Sequence, residues 1–226
     1  PDIEKYISNT SLNNQLKETW WGLSWAKSLS PNFSVGASLF FSNYNFNGGN
    51  NKQLSAINGN NQVAFYNYTR SFQQKSNGIF AKIAAAWVLP KVALGVNIDL
   101  PYLEINSSGK YRYEEYLSGF ETLDDIFTYN DFNDINSKRK YPLGISIGAG
   151  IPIKKNTIHL NINWYSKIDN YNKLDIPPLE SETEENLPNI TFNEELKSII
   201  NYGLGAEIYI SPKVNAYGSF SSDFSP

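Results

Sequence analysis

His159 is the only histidine in the chain and cysteine is absent. Disulfides, thiolate metal centres and cysteine nucleophiles are therefore excluded, and a multi-histidine metal site has no ligand set. A Ser–His–Asp triad would have to be built on His159, whose same-parity neighbours are Thr157 and Asn161. The other groups of chemical interest are Lys82, Asp99, Glu207 and Asp223. They suit pairing on an inner wall, or shaping the field met by a passing solute. A two-carboxylate hydrolase needs two acids at a defined separation, and nothing in their spacing specifies one. Two segments, 113–136 and 174–195, are rich in Asp and Glu without the spacing of a calcium loop. The first interleaves its acids with Tyr and Phe and could fold over a pore mouth as a contact surface; the plainer reading of both is a hydrated loop. The expectation is a protein without catalytic residues, metal or cofactor.

Strands must position these groups. Ser30-Pro31-Asn32, Leu89-Pro90-Lys91, Ile151-Pro152-Ile153 and Ser211-Pro212-Lys213 recur at intervals of about 60 residues. Each lies between two stretches of alternating character, as a short turn built on proline's fixed φ would. From Phe33 to Phe41 the odd positions are apolar and the even ones mostly Ser or Gly; from Val92 to Leu100 it is the even positions that are apolar. The same alternation runs through 141–151, 158–165 and 200–210. Period-two alternation marks strands whose two faces meet different surroundings. Runs of about nine to eleven residues suit a tilted strand crossing a bilayer, longer than the usual five or six of a sandwich.

Short turns on one side and long polar connections on the other is the asymmetry of outer-membrane barrels. Trp25 and Trp87 lie close to Pro turns, Trp21 and Trp164 far from theirs, all on the apolar parity, as two interfacial girdles would be. The opposite parity carries the candidate lumen residues Lys82, Asn97, Asp99, His159, Asn161, Asn163, Glu207, Tyr209 and Asp223. The expected fold is all-β: an antiparallel up-and-down transmembrane β-barrel, of which this chain supplies about eight strands. A mean hydropathy of −0.41 is compatible with such a wall, because polar and apolar residues alternate. A net charge of −3 gives no basic surface for nucleic acid.

Gly22-Leu23-Ser24-Trp25-Ala26, the turn into Phe33-Ser34-Val35-Gly36-Ala37-Ser38, and the stretch from Gly218 to Pro226 resemble outer-membrane proteins of Bacteroidetes-type bacteria. Within these the chain resembles the FadL/TodX-type superfamily of long-chain fatty acid transporters, through its strand and turn pattern. That resemblance implies a fourteen-stranded barrel, a luminal hatch and passive uptake of hydrophobic small molecules. Some relatives instead form barrel subunits of a secretion complex. No hatch segment is recognisable, so no ligand-binding residues carry over. Residues 1–226 are expected to form a single barrel domain, an internal portion of a longer protein. Its expected place is the bacterial outer membrane. The expected partners are the lipid bilayer and either a hydrophobic ligand or the proteins of an outer-membrane complex. A soluble β-sandwich adhesin is the third reading, disfavoured by strand length.

Overall fold

The computed structural model describes residues 3–120, 123–185 and 187–225. Twelve strands and no helix occur among them: β1 (Ile3–Ser30), β2 (Phe33–Asn58), β3 (Val63–Leu89), β4 (Val92–Asp99), β5 (Leu103–Ser118), β6 (Ile126–Ile135), β7 (Gly144–Ile153), β8 (Asn156–Tyr165), β9 (Ile168–Leu174), β10 (Phe192–Leu196), β11 (Ile199–Ser211) and β12 (Val214–Ser221). Ten of them make one curled antiparallel sheet, eight along the path β1-β2-β3-β4-β7-β8-β11-β12 with β5 and β6 branching from β3, and β9 and β10 pair separately. Neighbours in space are neighbours in sequence except where β5–β6 and β9–β10 are inserted. This is the up-and-down pattern that short hairpin turns enforce.

Three of the four turns fall on their prolines, at Pro31-Asn32, Pro90-Lys91 and Pro212-Lys213. The third departs from the sequence expectation. Pro152 lies inside β7, paired with Thr157, and the chain reverses at Lys154-Lys155, where Lys154 has φ 58°. A left-handed first turn residue matches the twist of a two-residue hairpin. Proline could not adopt that φ, which is why the turn sits two residues beyond it.

Register gives the tilt. The row through Phe33 continues through Trp87, Leu94, Ala149, Leu160, Leu204 and Phe220. Phe33 adjoins its turn, whereas Leu204 lies well above the end of β11 at Ser211. The hairpins step down by about one residue per strand, ~3.3 Å for each ~4.8 Å of sheet, which corresponds to strands tilted by roughly 35°.

The polar segments expected as loops are strand over much of 43–78 and 113–136, whereas the described residues of 175–191 are irregular as expected. β2 and β3 run far beyond the alternating stretches and pair continuously from Phe33↔Trp87 to Ile57↔Val63. β3 changes partner on the way: its lower part pairs with β4 and its upper part with β5. The hairpin β5–β6 thus extends a tall leaf of β1, β2 and β3 instead of folding over the mouth. The main core lies on the inner face of that leaf, where Tyr111, Tyr113, Ile135 and Leu174 are buried against Phe72, Ile190 and Phe192.

Candidate functional site

The two faces of the curled sheet have separate chemistries. On the outer face the register aligns Trp21-Leu23-Trp25 of β1 with Phe41-Leu39-Ala37 of β2 and Ile79-Ala81-Ile83 of β3. It then continues through the Ile, Leu and Val positions of β4, β7, β8 and β11. Among the described residues no Asp, Glu or Arg interrupts this belt, and its one lysine is Lys27, low on the edge strand β1 in the row of Val35 and Ile147. Leu39, Ile147, Ile162 and Leu204 are 53–55% exposed on the belt. A contiguous exposed apolar surface of this kind marks a face that meets a protein partner or a membrane.

The belt ends abruptly on three adjacent strands. On the outer face Trp21 gives way to Thr19, Phe41 to Asn43 and Ile79 to Asn77, all on one row. Above it the outer face is amide and hydroxyl interspersed with Lys17, Lys75 and Lys110: Asn43 donates to Asn77 at 2.7 Å, Asn77 to Asn106 at 2.9 Å, and Gln73 to Asn47 at 2.7 Å. On the inner face the change is the reverse. Within the belt it carries mainly Ser, Gly, Ala and Asn; above it come Tyr44, Phe46, Phe72 and Tyr111, packed into the core.

The sequence-predicted polar residues lie mostly on the concave inner wall. Lys82 and Asp99, cross-strand partners, are 3.1 Å apart, and Asn97 donates to the same carboxylate at 2.9 Å. Asn161 and Asn163 line a hollow of about 500 Å³ with Ala84, Ala86, Gly95 and Ser146. His159 borders a second, about 880 Å³, and no hydrogen-bond partner is found for it among the described residues, so no triad forms. Glu207 accepts from Asn215 at 2.7 Å, and Lys155 lies 4.6 Å from the Tyr209 ring. Asp223 is apart from the others, exposed beyond the end of β12. Of the tryptophans, Trp21, Trp25, Trp87 and Trp164 share the outer face; the Trp164 indole N–H donates to Ser198 at 3.0 Å. Among the described residues no group of three or more His, Asp or Glu could hold a metal. A Cβ built on Gly95 meets nothing within 4 Å, and on Gly148 only a carbonyl oxygen at 3.7 Å. At these two positions small size is not forced by packing between strands and leaves open space in front of the sheet, whereas a Cβ on Gly203 would meet the Asn161 side chain.

The most elaborate construction was not foreseen from sequence. Residues 136–143, linking β6 to β7, lie across the inner face just above the belt, and Arg139 fixes them. Its guanidinium bonds both Glu18 oxygens, at 2.9 and 3.1 Å, and lies 3.9 Å from the centre of the Tyr44 ring and 4.9 Å from that of Tyr102. Ser42 donates to Glu18 at 2.6 Å, and the Arg139 amide donates to Glu104 at 2.8 Å. Trp20, Phe80 and Tyr141 extend the aromatic floor beneath. Burial pulls the Glu18 carboxyl upward, but hydrogen bonds from Arg139 and Ser42 outweigh it and hold it below its ordinary range. Burial likewise pushes Tyr44 up to about 12, so it stays neutral beneath the cation.

The ribbon β9–β10 adds to this cap. Lys173 pairs with Glu194 at 2.5 Å, the Tyr171 hydroxyl donates to the same carboxylate, and the Lys138 amide donates to the Lys173 carbonyl at 3.0 Å. The signals that could have exposed the cap were slight: the cation run Lys138-Arg139-Lys140 beside an acidic segment, and Trp20 on the parity opposite to Trp21. The assembly can partition a small-residue wall from the solvent above it. No family model, curated protein or solved structure matches the chain.

Proposed function

We propose that the chain is the wall of an outer-membrane β-barrel that passes a hydrophobic small solute passively along its inner face. The supporting observation is the change of the outer face from Trp, Leu, Ile and Phe to Asn, Thr and Gln along a single row, with the opposite change inside. An outward surface that is apolar below a row and amide-rich above it fits a boundary between lipid and water. Backbone pairing within strands satisfies the polar groups that lipid cannot. The wall itself suits an apolar solute: Ala26, Ala84, Ala86, Gly36 and Gly95 front the smaller hollow, with Asn97, Asn161 and Asn163 among its lining. The test is extraction of the full-length protein from membranes, with identification of co-purifying small molecules and uptake of a fluorescent fatty acid into liposomes. Detergent dependence with solute uptake supports the proposal; detergent dependence without uptake retains the barrel and removes the transport role.

A second reading has its own observation. The leaf rises from Asn43 to Asn58 on β2, about 50 Å at ~3.3 Å per residue. Tyr6, Leu12 and Leu16 of β1 are 60–76% exposed on its inner side. Such a surface suits a barrel subunit that holds protein partners at the cell surface, and co-purification of a second protein at fixed stoichiometry would favour it.

A further inference from the structure

Immediately above the belt the outer face of the leaf separates charge by side. The three rows that begin at Thr19, Lys17 and Gln15 of β1 cross β2, β3 and β5. On these rows the outward charged residues are Lys17, Lys75 and Lys110, all exposed, and none has an ion-pair partner among the described residues. The acids of the same region, Glu18 and Glu104, point inward to Arg139 and Ser76. Lys17 and Lys75 flank Asn45 on one row, so their stems are about 10 Å apart at ~4.8 Å per strand. Each stands four residues above the last apolar residue of its strand, about 11 Å after tilt. Their flexible stems can reach down to the head-group layer. Between the lysines and the belt runs the amide ladder Asn43–Asn77–Asn106, whose interior members already hydrogen-bond each other. Free donors and acceptors remain at its two ends.

We propose that this collar binds the head group of a phosphorylated glycolipid whose acyl chains cover the belt below. The lysines meet its phosphates and the ends of the amide ladder meet its sugar hydroxyls. The inference rests on the belt lying in a bilayer. Cations without counter-ions one step outside an apolar surface complement an anionic amphiphile. The amides, spread along a row of strands, add recognition of a sugar head group wider than the single glycerol of phosphatidylglycerol.

The test titrates full-length protein in non-ionic detergent with a diphosphorylated diglucosamine lipid, its dephosphorylated form and phosphatidylglycerol, counting bound lipid by native mass spectrometry. The phosphorylated glycolipid is expected to bind most tightly. Each of Lys17→Gln, Lys75→Gln and Lys110→Gln should weaken it about 5-fold, while Lys91→Gln and Lys213→Gln at the opposite rim leave it unchanged. Equal binding of the dephosphorylated form or of phosphatidylglycerol, or an unaffected triple variant, overturns the proposal. A protein that stays soluble without detergent fails the bilayer reading itself, which is a distinguishable result. Folding of every variant is checked by the heat-modified gel mobility of the native barrel.

Discussion

Arg139 and Glu18 form a two-point ion pair in the cap, with side chains only 10% and 17% exposed. Removing one partner of such a pair strands the other in a poorly hydrated site, at a cost of about 3 kcal/mol. Arg139→Ala should therefore loosen residues 136–143 and raise their proteolysis or hydrogen exchange several-fold, while the belt strands remain protected. Arg139→Lys should rescue little, because an ammonium cannot reproduce two parallel bonds to one carboxylate. Acid should act through the same pair. The Glu18 carboxyl is held below its ordinary value in the folded state. Its contribution is thus complete above the unfolded value and lost as pH falls through the depressed folded one. Hydrogen exchange of 136–143, divided by its intrinsic pH-dependent rate, should stay flat from pH 8 to about pH 5 and rise below the ordinary carboxylate range near ~4. Glu18→Gln should remove that dependence; a rise centred near neutrality would contradict the assignment.

At the scale of elements, the same strand presents an apolar and then an amide-rich outer face in succession, and this explains what the sequence revealed and what it concealed. Where the outer face is apolar, the odd positions of β2 alternate cleanly from Phe33 to Phe41 and the strand is legible. Beyond Asn43 the alternation changes sign, with Tyr44 and Phe46 inward and Asn43, Asn45 and Asn47 outward. Asparagine and glycine then carry the signal of a loop although the backbone stays paired. The Lys82–Asp99 contact was legible as two charges on one parity. Arg139 on Glu18 was not, because 121 residues separate them and no local pattern encodes the crossing. Substitutions should divide at the same row. Leu39→Arg or Ile147→Arg, in the belt, should destabilise the inserted barrel by about 2–4 kcal/mol. Asn47→Arg, on the same parity as Leu39 but above the row, should change it by less than about 0.5 kcal/mol. Denaturant titration in lipid vesicles measures both, and equal costs would remove the distinction between the two zones.

For the molecule as a whole, the eight-stranded path leaves β1 and β12 with one open edge each among the described residues. In lipid an unpaired strand edge is not tolerated, so a membrane-inserted wall requires further pairing at both. The absence of cysteine gives a clean background for the most direct test of where the wall sits. Single cysteines are placed along β2 at odd positions from Val35 to Asn51 in the full-length protein, reconstituted into bilayers and spin-labelled. Accessibility to oxygen, which concentrates in lipid, is compared with accessibility to a water-soluble nickel reagent. Oxygen should dominate from Val35 to Phe41 and the nickel reagent from Asn43 onward, with the crossover between Phe41 and Asn43. Nickel accessibility throughout, or no crossover at that row, would contradict a bilayer-embedded belt and the transport role built on it.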